Sequence, residues 1–328
     1  VTANTNETYD VSTIREDLAE AMASISPTET VFMSAIGTRN VDNTYFEWSE
    51  VDLAATGANR QIEGDVGLSN TAPTNAVRKG GYTQISAKVV EVSSTNQAVN
   101  GVANAQTVAK QVAYKLSELK RDMEAMLLAN VAAAVGSSGT ARQTAGLPAY
   151  LTSNVSRGSG GANGTTSGTG ESGSVNAAAT DGTLRPITET LLKSVIADCW
   201  SSGATPTIVM CGSAQKQKIS TFTGNATRFK EAEDSKLNAA IDVYISDFGE
   251  LQIVPNRHMR VRTVSSVNYT PDVFVLDPNY AEVAYLQTAK QEPLAKTGLS
   301  ERRLISCEYG LQVTSQKAHG VVADINAS

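Results

Sequence analysis

The stretch from Thr44 to Val92 most constrains what this chain can fold into. Tyr45-Phe46-Glu47-Trp48-Ser49-Glu50-Val51 alternates as a strand with one buried face, and Tyr82 to Val92 alternates again. Residues 52–81 between them are dominated by Gly, Asn, Ala, Thr and Asp and cannot build a core of their own. Loops of that length inside a compact domain are usually functional or disordered. Two strands with a polar tip predict a long β-arm that reaches away from its own domain and packs on a neighbouring subunit. Tyr45, Trp48, Arg60, Glu63, Asp65, Arg78 and Lys79 are its candidate contact residues.

A long helix follows. Val102, Ala105, Ala109, Val112, Leu116, Leu119, Met123 and Met126 recur at three- and four-residue spacing, with Lys110, Glu118, Lys120 and Arg121 off the stripe. The pattern predicts a helix over 102–135, roughly 50 Å long at 1.5 Å per residue, stopped by Gly136. Its Ala-rich stripe favours packing on a sheet over a coiled coil. Leu116 and Leu119 are expected to bury against strands that include Tyr309, Leu311 and Val313.

Ahead of the arm, Ser12 or Thr13 can cap a short helix through Met22, and Ser26-Pro27-Thr28-Glu29 reads as a capping box. Thr30 to Ile36 is apolar enough to pack on something. Residues 157–174 are low-complexity Gly, Ser, Thr and Asn, expected as a flexible loop or partly disordered insertion. A second helix is predicted from Thr183 through Leu191, Leu192, Val195 and Trp200 to a stop at Gly203. Thr207–Cys211 reads as a buried strand and Ser213–Phe222 as a short helix. The fold class is α+β.

Chemistry is hard to find on this frame. Gly168-Thr169-Gly170-Glu171-Ser172-Gly173 formally matches the dinucleotide fingerprint, but polar low-complexity residues stand where the preceding strand is required. His258 and His319 have no zinc-site spacing, His258 reading as a surface turn and His319 as structural. No G-x-S-x-G elbow occurs. Glu231, Glu233 and Asp234 lie beside Arg228, Lys230 and Lys236, the pattern of a solvated loop rather than of an acid–base pair. Cys199, Cys211 and Cys307 form no C-x-x-C and read as reduced, buried thiols. No catalytic residue, metal or cofactor is expected, and a hydrolase or nucleotide-binding enzyme lacks its constellation.

The net charge of -6 at pH 7 argues against a surface that grips nucleic acid by neutralising phosphates. With 41% hydrophobic residues, the 328-residue chain can bury sizeable cores. Val1 to Asp10 has no signal-peptide pattern, and Val1 is read as following ordinary initiator-Met excision. No apolar run reaches the ~20 residues of a membrane helix. The Arg257, Arg260 and Arg262 triplet is the most basic spot, suited to phosphate or to acidic residues on a neighbour. Arg257 and Arg260 join the candidate contacts.

The last quarter is a series of short strands bounded by Pro, Gly, Asn or Asp. Tyr244-Ile245-Ser246-Asp247-Phe248-Gly249 leads into Leu251 to Arg257, then Val273-Phe274-Val275-Leu276-Asp277-Pro278, Glu292 to Gly298, and Arg303 to Val313. This order of segments resembles the tailed-bacteriophage major head proteins with the HK-97-like capsid fold. The resemblance implies a map: an N-terminal arm over 1–43, an extended loop over 44–92, and a peripheral domain over 93–182 with spine helix and Gly-rich insertion. An axial domain over 183–270 follows, and 271–328 returns to the peripheral domain. It implies a major capsid protein that self-assembles through hexamers and pentamers into an icosahedral head enclosing double-stranded DNA, with portal, scaffolding and decoration proteins as partners. It places the protein in the virion, assembled in the host cytoplasm. A cellular nanocompartment shell of the same fold is the alternative. Some relatives crosslink through a lysine, but no local motif marks Lys79 or Lys88 as reactive.

Overall fold

The computed structural model describes residues 28–58, 60–64, 73–99, 107–166, 173–222, 243–259, 262–264, 267–269, 272–296 and 298–326. The expected helix ending at Met22 and the acidic cluster Glu231, Glu233 and Asp234 lie outside these residues, as do most of the 168–173 fingerprint match, Asp65 and Arg260.

Two sheets organise the described chain. The first has four strands, ordered Gly37–Asn40, Ala281–Pro293, Ser300–Val313 and Gln84–Ser93, and its long central pair is antiparallel. The spine helix, Val108–Leu127, packs across it and is capped by the Thr107 hydroxyl, which accepts from the Lys110 amide at 3.4 Å. Leu119, Met123 and Leu127 join Val90, Val92, Ile305, Tyr309, Leu311 and Val313 in one core. At the helix surface, Lys88 on the sheet reaches Asp122 at 2.6 Å and Glu118 at 3.4 Å, tying the two layers by charge.

The helix is shorter than its stripe predicts. It stops at Leu127, where tertiary partners hold the residues that follow: the Asn130 side chain donates through Nδ2 to the Ala179 carbonyl at 2.7 Å and accepts the Ala179 amide at Oδ1 at 3.0 Å. Ala133 donates to Val175 at 3.0 Å, and Ala134 bridges Gln143. Ala propensity at 132–134 is worth a few tenths of a kcal/mol per residue and yields to these pairings. Residues 102–106 lie outside the described chain. Leu119 is fully buried as expected, whereas Leu116 is only half-buried, packed at the edge of the same core with Val108 and Val112.

The second sheet has six strands, ordered Val155–Ser156, Gly320–Val322, Val273–Leu276, Ile208–Cys211, Gly249–Pro255 and Val243–Ser246. The helices Glu189–Ser201 and Ser213–Ile219 cover it, burying Leu192, Val195, Ile196, Cys199 and Ile219. The predicted start of the first of these at Thr183 is corrected to Glu189. Arg185 instead bridges Ile325 in parallel, which holds residues before Thr188 extended. Trp200, within the predicted helix, points outward. The stripe runs Leu192, Val195, Ile196, Cys199, and Trp200 falls one position past it.

The C-terminal block 271–328 does not return as one unit to the first sheet. Val273–Leu276 and Gly320–Val322 pair with each other in the second sheet, while Ala281–Pro293 and Ser300–Val313 form the centre of the first. Chain order cannot show this, since both destinations require the same buried apolar strands. Residues 162–166 and 173–180 of the insertion region are ordered by pairing: Thr165–Thr166 with Val175–Ala177, and Ala162 with Thr180. Cys199, Cys211 and Cys307 are free and buried.

Candidate assembly surfaces

The two strands at the base of the predicted arm pair, with the return strand displaced. Tyr45–Glu50 pairs antiparallel with Val77–Tyr82, from Tyr45 opposite Tyr82 to Glu50 opposite Val77. The chain then breaks at Thr83, and Gln84–Ser93 leaves the arm for the first sheet. Thus the 44–92 run is two structures. The break is polar and buried: the Thr83 amide donates to the Thr44 carbonyl at 2.9 Å, and its hydroxyl donates to Glu308 at 2.7 Å. Arg142 closes the junction, reaching Glu308 at 2.5 Å and the Thr83 carbonyl at 3.3 Å.

The base of the arm serves its own subunit. Trp48 is 8% exposed and lies 6.3 Å from the Tyr150 ring and 6.0 Å from Phe46. As an assembly contact it is therefore corrected: alternation aimed it at the body beneath. Phe46 fits only because Gly81 and Gly310 carry no side chain, since a Cβ there would sit 2.9 Å and 2.7 Å from its ring. Tyr45 packs tilted on Tyr82 at 4.8 Å, and burial beside Glu47 pushes its phenol up to about 12. Arg78 pairs with Glu47 at 2.5 Å and Lys79 with Glu50 across the strands. The hairpin thus neutralises its own basic residues. The insertion supports it, with the Gly80 amide donating to the Gly173 carbonyl at 3.2 Å.

Beyond Glu50 the arm changes character. Residues 51–58 and 60–62 form no helix or strand and are exposed. Leu53 is 85% exposed and Ile62 81%, beside the exposed Arg60 and Glu63. Composition flagged the polar residues of this tip and passed over Leu53 and Ile62. Arg257 is exposed and lies 3.6 Å from Glu29, a surface pair of little energetic consequence. His258, expected on the surface, is buried, with Nε2 3.1 Å from the Glu29 carbonyl. A second exposed feature is the stacked pair Trp200 and Phe248, with ring centroids 5.0 Å apart. The helical stripe, followed to Cys199, is the signal that exposes Trp200.

Among the described residues no group of three His, Cys, Asp or Glu side chains is placed to hold a metal, and no helix is long and apolar enough to cross a membrane.

A two-sheet α+β body with a long helix across the first sheet has the HK-97-like capsid fold. The capsid of a native GTA particle superposes with a TM-score of 0.61 at 12% identity, covering 97% of this chain and 98% of that one. A chain from Mycobacterium phage Bobi does so at 0.61 and 12%, over 96% and 97%. The holo-SrpI encapsulin of Synechococcus elongatus PCC 7942 gives 0.56 at 10%, over 96% and 94%. At such identities the likeness concerns the fold. The sequence goes further: the chain belongs to the SU10 major capsid protein family, whose model matches residues 1–326. The major capsid protein of Escherichia phage Phieco32 is 30% identical over 148 residues, which is 45% of this chain and 39% of that one. The match therefore spans well under half of that relative's length. The family is one of structural, shell-forming proteins.

Proposed function

We propose that this protein is the major capsid subunit of a tailed phage, self-assembling through hexamers and pentamers into an icosahedral head around double-stranded DNA. The observation that carries the reading is the arm, ordered at its base by its own subunit and presenting Leu53 and Ile62 to solvent at its tip. Exposed aliphatic side chains on a projection gain burial only from another molecule. In a self-assembling family, that molecule is a neighbouring copy. Tip residues Arg60, Glu63 and Asp65, with Arg257 and Arg260, then supply polar contacts at the margins. The acidic net charge of -6 fits an enclosure that does not hold its DNA by phosphate neutralisation. Portal, scaffolding and decoration proteins are the further partners of this reading, the virion its final location and the host cytoplasm its place of assembly.

The test is sedimentation of concentrated protein followed by electron microscopy. Closed shells or ring-like capsomers far above the 34.5 kDa subunit are expected. A sharp monomer across salt and crowding conditions overturns the proposal. Particles that fill with protein cargo and exclude DNA favour the nanocompartment alternative.

A further inference from the structure

Glu124 lies on the buried face of the spine helix, a charged side chain next to Met123, and it is wholly buried. Three donors converge on it. The Phe32 amide donates to Oε1 at 2.6 Å, the Met33 amide to Oε2 at 2.9 Å, and Asn256 Nδ2 to Oε1 at 2.7 Å. The first two open the short helix Val31–Ala35, whose N-cap Thr30 makes no side-chain capping bond. Glu124, 91 and 92 residues away, satisfies the amides that a local cap would otherwise serve. The third donor cannot turn away, because Asn256 Oδ1 accepts the His258 amide at 2.9 Å and so aims the NH2 group at Glu124.

These partners belong to three parts of the molecule: the spine helix, the segment before the first sheet, and the loop leaving the second sheet. Elsewhere the segment is held by apolar packing, Ile36 joining Phe32 in the core. A crevice of about 520 Å3, lined by Val31, Ser34, Ile208, Met210 and Val254 among others, separates it from the second sheet. Phe32 is buried in the core, but an apolar contact alone does not set the direction of a backbone.

We propose that Glu124 is the positioning residue of the N-terminal arm. By accepting all three donors it fixes residues 30–36 against both bodies. The site demands an acceptor at both oxygens. Glu124→Gln keeps Oε1 for Phe32 and Asn256 but turns a donor toward Met33, whereas Glu124→Met leaves all three donors unpaired at similar volume.

Residue-resolved hydrogen exchange on dissociated subunits of the full chain tests this, independently of whether shells form. In the unmodified protein the Phe32 and Met33 amides should be protected. In Glu124→Gln, Met33 should exchange about tenfold faster with Phe32 affected less, and in Glu124→Met both should lose protection. Exchange in the Ser300–Val313 strand should change little. Unprotected Phe32 and Met33 amides in the unmodified protein overturn the proposal without any variant, so a variant that fails to fold leaves it testable. Equal protection in unmodified protein and Glu124→Met overturns it as well.

Discussion

Within one arm, Phe46 and Trp48 at the base are buried against Tyr150 and the first sheet, while Leu53 and Ile62 at the tip are almost wholly in solvent. Both regions carry large apolar side chains, and they differ in what faces them. At the base the strand pair lies over its own sheet, so alternation delivers every second residue to a core. At the tip no element of the same chain covers the described residues. An arm therefore has a fold-determining half and an association-determining half, and substitutions in the two should be read by different assays.

The comparison is broken most directly at Trp48. Trp48→Ala should cost about 3–5 kcal/mol in subunit unfolding, the range for deleting a large buried aromatic. Trp48→Phe should cost clearly less, because Nε1 is buried without a hydrogen-bond partner and nothing polar is lost. If the alanine variant melts with the unmodified subunit, the base of the arm is not part of the core.

The spine helix gives the next effect. Leu119→Ala should cost about 2–5 kcal/mol and Leu116→Ala distinctly less, since only Leu119 is fully buried. Equal costs in chemical denaturation would mean that the helix seats evenly along its length.

His319 supplies a control on pH. It is buried in the seam before the last strand, and desolvation pushes its imidazole down to about 4 from an ordinary 6.5. The folded state therefore binds fewer protons than the unfolded one between those values. Its contribution is complete above pH 6.5 and lost as pH falls toward 4, by at most about 3 kcal/mol. Thermal unfolding from pH 7.5 to 4 should show the loss, and His319→Gln should flatten that part of the curve. An unchanged profile in the variant removes His319 as its source.

The smallest effect on stability should come with the largest on assembly. Leu53→Asp and Ile62→Asp should shift subunit unfolding by less than about 0.5 kcal/mol while sharply lowering particle yield. Should yield hold and stability fall, the tip packs within its own subunit and the comparison reverses.

Much of the frame was legible in the sequence. Period-2 alternation in Tyr45–Val51 and period-3.6 spacing through Leu119 and Met123 identified the arm and the spine, because each pattern reports burial of one face of a local element. The segment order from Asp247-Phe248-Gly249 to Val313 pointed to the family. Local pattern could not say which neighbour provides the burial. Thr83 divides the arm from the sheet only because Glu308 and Arg142 meet it there, from 225 and 59 residues away. Trp48 and Leu53 stand close in one chain, and their opposite fates depend on the position of Tyr150. Glu124 lies beside the apolar stripe yet is buried, and this becomes intelligible when two backbone amides and Asn256 arrive from distant parts of the chain. Periodicity is a property of the backbone and is written locally, whereas the partner of a buried face or charge is set by packing among segments far apart in sequence, which only the tertiary structure decides.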